Sequence, residues 1–245
     1  MDQALAWEVP RLPVVADSAY GNDFDFRAGL RERGLPYAVA VEPTTKVWLS
    51  DPALVPLPPE HQRGRPRKHA VLKDLPQAQT LAEVAWELPK TVWTNITWRQ
   101  GTKGPMNSRF ARVKVWAAHG WLRSEHPQRA MEWLLVEWPE GADAPSDYWL
   151  AQLGDQAVGL RRLVKTARSR WRVELDYREL KEELGLDHYE GRHWLGWHHH
   201  VTLVTMAFAF LRSEQAASKK NFWCEFSDAA SDSSKVTGST HSPGG

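Results

Sequence analysis

Four charged residues, Arg170, Glu174, Arg178 and Lys181, recur at i, i+4, i+8 and i+11, a spacing that puts one carboxylate among three cations on one side of a helix. A carboxylate in that setting can hold a divalent metal, while its basic neighbours grip phosphate oxygens. The same pattern also suits a solvated helix face held by i,i+4 ion pairs. Upstream, Leu12-Pro13-Val14-Val15-Ala16 reads as a short buried strand that ends in Asp17 and is followed by the turn Ser18-Ala19-Tyr20-Gly21. An acid at the carboxyl end of a strand in an α/β unit lies where such folds place ligands and metals, although Asp17 could equally cap a helix.

The elements that must position these groups are legible nearby. Asn22 is expected to cap a helix whose inner face carries Phe26 and Leu30 and which Gly34 and Pro36 stop. Tyr37-Ala38-Val39-Ala40-Val41 is expected to be the next strand. Further strands are read at Thr91–Trp98, Ala111–Ala117 and Trp133–Trp138, with turns at 101–104 and 139–141.

These segments resemble the DDE transposases of bacterial insertion sequences, in the branch with a Tyr-Arg-Glu-Lys signature. That signature is Tyr, two residues, Arg, three residues, Glu, six residues, Lys, and Arg170, Glu174 and Lys181 fit its spacing. The segment from Val14 through Asp17 to Gly21 looks like the strand carrying the family's second catalytic Asp, and the likeness runs on from Tyr177 to Arg192 and into the helix near Trp197. It covers roughly residues 12–223. The position where the signature has Tyr holds Ala167, and none of the sixteen residues before Asp17 is an acid in a strand-like context, since Asp2 and Glu8 are not. The chain is therefore expected to be an amino-terminally truncated member lacking the first catalytic Asp.

The resemblance implies an α/β fold: a ribonuclease-H-like core, its first strands missing, interrupted by a β-rich insertion. The expected organisation is a partial core over 1–42, the insertion over 43–150, core helices with the catalytic Glu over 151–223, and a disordered tail over 224–245, which is polar and small from Ser227 onward. It implies two-metal phosphoryl transfer with Mg²⁺ or Mn²⁺, in which Asp17 and Glu174 are catalytic metal ligands and Arg170, Lys181 and Arg178 hold DNA phosphates. The implied partners are double-stranded DNA at insertion-sequence ends and a second copy in synapsis, with no membrane and no small-molecule substrate. The implied place is the bacterial cytoplasm, at the nucleoid. Without the first Asp, little or no cleavage is expected from the chain alone. A non-catalytic DNA-binding or dimerising remnant that competes with intact transposase, and a degenerate product that does not fold, are the alternatives.

Composition agrees without demanding this. At 245 residues and 42% hydrophobic, the chain can bury a core. Its net charge of +1 conceals two basic runs, His61–Lys68 and an acid-free one of Arg161, Arg162, Lys165, Arg168, Arg170 and Arg172. Within the first run Arg63, Arg65, Arg67 and Lys68 resemble a hook for an A·T-rich minor groove, and a solvated loop fits equally. Of the fourteen Trp, Trp93 and Trp98 are the candidates for stacking on an exposed base, though a Trp in a strand ordinarily fills a sheet face. The lone Cys224 excludes an internal disulfide and fits a reducing compartment. Consecutive histidines 198–200 point in different directions on a helix and receive no ligand role. The apolar stretch Val201–Leu211 is expected to be a core helix, being too short to span a bilayer.

Overall fold

The computed structural model describes residues 1–51, 55–56, 72–73, 77–101, 104–120, 130–154 and 158–232, with side chains as far as residue 218 outside the segment 52–76. The chain divides into two compact units, Met1–Arg170 and Trp171–Gly245.

The first unit is built on an eight-stranded sheet. Helix α1 (Asp2–Ala6) leads to β1 (Val14–Ala16), the short α2 (Ser18–Gly21), α3 (Phe24–Glu32) and β2 (Tyr37–Val41). There follow β3 (Lys46–Trp48), the separate pair β4 (Val55–Pro56) and β5 (Leu72–Lys73), then β6 (Gln79–Thr80) and α4 (Leu81–Glu87). The long strands β7 (Thr94–Gly101), β8 (Gly104–Ala117), β9 (Met131–Trp138) and β10 (Asp147–Gln152) come next, and α5 (Leu160–Ala167) ends in a 3₁₀ turn over Arg168–Arg170. Sheet order is β1-β2-β10-β9-β8-β3-β6, with β7 also on β8. Among the described strands only β1 and β2 run parallel, as a pair joined through a crossover helix must; their register is Val14 opposite Tyr37 and Ala16 opposite Val39.

Both faces of β2 are covered. Tyr37, Val39 and Val41 turn toward α3 and α4, Tyr37 and Val39 packing with Leu30 and Leu35 of the α3 segment, and Val41 with Leu81, Val84 and Ala85. Ala38 turns the other way, onto Leu163, Val164 and Ala167 of α5, beside Phe110, Leu135 and Trp149. This explains a continuous apolar strand with no alternation. Helix α4 starts at a capping box, in which the Glu83 N–H donates to Thr80 Oγ1 and the Thr80 N–H donates to the Glu83 carboxylate.

Several expectations need correction. Asp23, not Asn22, caps α3, its Oδ1 accepting the Asp25 N–H at 2.9 Å. Asn22 Oδ1 instead accepts from the Glu42 N–H and the Thr45 hydroxyl, tying the turn to the end of β2. Strands from the span 43–150 extend the same sheet as β1 and β2, because β10 pairs antiparallel along the whole of β2. The first turn of the strand read from Thr91 is a 3₁₀ turn over Lys90–Val92.

The second unit contains α6 (Trp171–Glu182) and α7 (Trp194–Asp232). Arg212 on α7 donates to Asp176 at 2.9 Å and to Glu179 at 2.6 Å on α6. Val204 is buried, whereas Leu203, Met206 and Phe210 lie at the surface, so the stretch Val201–Leu211 is a largely exposed segment of a long helix and not a core helix. The α7 backbone continues to Asp232, into the segment expected to be disordered; 233–245 lie outside the described residues. Among the described residues no helix is long and apolar enough to cross a membrane.

Candidate functional site

Asp17 follows β1 directly and stands at its carboxyl end, exposed to solvent. It is also the N-cap of α2: its backbone is extended (φ −80°, ψ −179°) and its Oδ1 accepts the Ala19 N–H at 3.2 Å. The cap reading of this acid is thus met, and the carboxylate remains exposed to solvent. β1 is the terminal strand on its side of the sheet, so its outer edge has no strand partner among the described residues.

The turn bearing Asp17 is held from beneath. A Cβ at Gly21 would come within 1.8 Å of the Ala40 carbonyl oxygen, so only glycine lets the turn lie against β2. Arg27, fully buried, donates through Nη1 to the carbonyls of Gly21 and Asp23 and through Nε to Glu132 Oε1 at 3.0 Å. The Tyr37 hydroxyl donates to the same carboxylate oxygen at 2.6 Å and accepts from Arg31 Nη1 at 3.0 Å. Burial first, and then the Glu132 charge, pushes the Tyr37 phenol well above its ordinary range. A buried carboxylate is tolerated here because two guanidinium groups and a phenol surround it. The sequence signal was available: Glu132 and Glu137 are the only acids in the otherwise apolar strand Met131–Trp138, and both are buried.

Glu137 faces the other side of the sheet and binds Arg168 Nη2, which also reaches Asp147 at 3.2 Å. The Arg168 guanidinium lies over the rings of Trp98 (5.3 Å) and Trp149 (5.0 Å), and burial lowers its pKa. One member of the acid-free basic run is therefore turned into the core. Trp98 meets Phe110 edge-on at 5.5 Å in that same core. Trp93 meets Trp138 edge-on at 5.4 Å, and Trp86, which the sequence reading passed over, stacks edge-on at 4.8 Å against the same ring while remaining 57% exposed.

In the second unit, Glu174, Tyr177, Arg178, Lys181, Glu182 and Asp187 line a cleft of about 460 Å³. Three of the four residues whose spacing singled them out are thus brought together. Arg170 is not part of α6, because the chain tightens into a 3₁₀ turn over 168–170 and the α-helical register cannot be counted back through it. His198 packs edge-on against Trp194 and Trp197, and His200 Nε2 lies 2.9 Å from the Gly185 carbonyl. Arg63, Arg65, Arg67 and Lys68 lie outside the described residues.

Divalent metals suit hard oxygen donors, which Asp17 and Glu174 both offer. Yet among the described residues no group of three or more His, Cys, Asp or Glu comes together to hold an ion. The donors present do not make up a metal site by themselves, and no catalytic step follows from them alone.

No curated protein matches this chain in sequence. Residues 1–105, which include Asp17, β1, β2 and α4 but not Glu174, match the family model described as DDE superfamily endonuclease, a match consistent with a DDE transposase-like protein.

Proposed function

We propose that the chain is part of a DDE transposase that cleaves and joins DNA at insertion-sequence ends, and that it works only when a further carboxylate completes the site. The observation that carries this reading is Asp17, which stands at the carboxyl end of edge strand β1 inside the span matched to the DDE endonuclease family. A further strand can pair along the outer edge of β1 and bring a second acid beside Asp17. In this reading Asp17 and Glu174 ligate divalent metal, Mg²⁺ or Mn²⁺, which supplies charge stabilisation for phosphoryl transfer when bound. Arg178 and Lys181, lining one cleft with Glu174, hold phosphate oxygens, and Arg170 assists from the preceding turn. Trp93 and the Arg63–Lys68 run are secondary DNA contacts, and two copies pair two ends.

A second reading is a non-catalytic DNA-binding module, favoured by the lack of a three-ligand cluster among the described residues. Metal-dependent nicking of element-end duplex separates the two. The chain alone is expected to give none; supplied with a segment that brings a further acid beside Asp17, it is expected to nick, and Asp17→Asn or Glu174→Gln is expected to abolish the activity. Nicking that survives both substitutions would overturn the site assignment.

A further inference from the structure

Helix α5 has one apolar and one cationic side. Leu163, Val164 and Ala167 are buried against the sheet, while Arg161, Arg162 and Lys165 are exposed and no acid lies in the helix. The sheet face under α5 continues the same charge. Arg112 and Lys114 of β8 stand opposite Leu135 and Trp133 of β9, and cross-strand partners share a face. Both are only half-buried, and both sit over the Trp133 indole, at 4.5 Å for the Arg112 guanidinium and 5.3 Å for the Lys114 ammonium. Trp133 itself packs on the cluster that α5 closes, so Arg112 and Lys114 lie on the sheet face that α5 covers. The Arg112 Nη1 atom has no hydrogen-bond partner among the described residues.

Among the described residues, two acids of this face are already committed to another cation. Glu137 and Asp147 both engage Arg168, which is drawn in beneath α5. Two cations on one indole, with further cations one helix away, form a rigid basic surface; the stacked aromatic fixes the long side chains and lessens the entropy lost on binding. A polyanion with regularly spaced charge fits such a surface, and duplex DNA carries one charge per roughly 1.7 Å of its axis.

We propose that the α5 face of the first unit, through Arg112, Lys114, Arg161, Arg162 and Lys165, binds the phosphate backbone of duplex DNA. The inference rests on the DNA-acting reading above and adds to it a surface that contains none of the residues of α6. It calls for sequence-independent, salt-sensitive contact, because phosphate contacts position a duplex without reading its bases.

The test uses the full chain and a fluorescent mixed-sequence duplex of roughly 30 base pairs, with binding followed by anisotropy between about 50 and 200 mM salt. Each lost phosphate contact lowers the slope of log affinity against log salt by about 0.9, so Lys114→Gln/Arg161→Gln/Lys165→Gln is expected to lower it by about 2.7. Across that salt range this is about 40-fold less change in affinity than the unaltered chain shows. The double variant Arg161→Gln/Lys165→Gln alters only exposed side chains and keeps the fold, and its expected loss is about 12-fold over the same range. An unchanged slope in either folded variant, or tighter binding to heparin or duplex RNA than to duplex DNA, would overturn the proposal. In parallel, Arg178→Gln/Lys181→Gln tests the cleft: weakened binding there with an unaltered α5 variant rejects this surface and keeps the reading of α6, and the converse rejects the cleft alone. Absence of any duplex binding at the lowest salt would reject the surface, while the nicking assay would still decide the Asp17 and Glu174 assignment.

Discussion

Replacing Arg27 by Met is the most informative perturbation of the first unit. The Arg27 and Glu132 side chains are 0% and 1% exposed, so the substitution leaves a carboxylate buried with, among the described residues, Arg31 at 3.8 Å as its remaining ion-pair partner. Breaking one partner of such a pair costs about 3–5 kcal/mol, a large share of the roughly 5–15 kcal/mol that holds a domain together. For a unit of this size the loss lowers the melting temperature by about 6–20 °C. The double variant Arg27→Met/Glu132→Met removes both charges and is expected to recover most of that loss, since apolar replacement of a whole buried pair is often neutral or better. It does not restore the donors that Arg27 offers to the Gly21 and Asp23 carbonyls, so the Asp17 turn stays loose. Urea unfolding measures the first effect; amide hydrogen exchange over residues 18–23, compared with β8 and β9 of the same molecules, measures the second. A single variant within about 1 kcal/mol of the unaltered chain would refute the energetic argument. A double variant whose turn exchanges as slowly as the original would refute the tethering argument, leaving Arg27 a partner of Glu132 and nothing more.

The remaining predictions concern the same core. Because the folded state holds the Tyr37 phenol well above its ordinary value of 10.0, the unfolded chain loses this proton first, and stability falls as pH rises past about 10. Tyr37→Phe is expected to flatten that decline between roughly pH 8 and 11 in urea unfolding, leaving the smaller part due to Tyr148, which burial shifts in the same direction; an identical decline in both chains would count against the buried network. Trp98→Ala is expected to cost about 2–4 kcal/mol, since the indole packs against Phe110 and the Arg168 guanidinium, whereas Trp86→Ala, at an exposed ring, is expected to cost under about 1 kcal/mol. Equal costs in thermal unfolding would contradict the placement of Trp98 in the core.

What the sequence disclosed and what it hid follow from different physics. Val14–Ala16, its terminal Asp17 and Tyr37–Val41 were legible because short apolar runs bounded by turn residues have few other uses, and the strand over Tyr37–Val41 matches to the residue. The strand over Asp147–Gln152 was not read, since its acid, two aromatics and glutamine carry no alternation until one sees that both its faces are covered. That strand decides how the sheet continues past β2, so missing it hid the continuity of β7–β10 with the core. On α6 the periodicity placed Glu174, Arg178 and Lys181 correctly on one side, but a count extended to Arg170 assumed an α-helical rise through Arg168–Arg170. Ser169 Oγ donates to the Thr166 carbonyl there and the turn is 3₁₀, a change that no residue type in the segment announces. Asp17 as a cap and Asp17 as a ligand were indistinguishable by spacing because both need an extended backbone before a helical turn, and the folded geometry shows the cap while leaving the carboxylate exposed.

A net charge of +1 says little about what this protein attracts, because several of its acids and bases are paired locally. Glu132 engages Arg27 and Arg31, Glu137 and Asp147 engage Arg168, and Asp176 and Glu179 engage Arg212. Each of these groupings fixes a packing contact: α3 on β9, the end of α5 on the sheet, and α7 on α6. Screening by solvent is weakest in the buried ones, so their charges cancel locally and contribute little field at the surface. The cations of α5 face solvent, and those beside Glu174 act on whatever enters that cleft. Local cancellation at these contacts leaves the cations of α5 as a local feature of a chain that stays near neutrality, and the proposed duplex contact depends on that local charge and not on the net one.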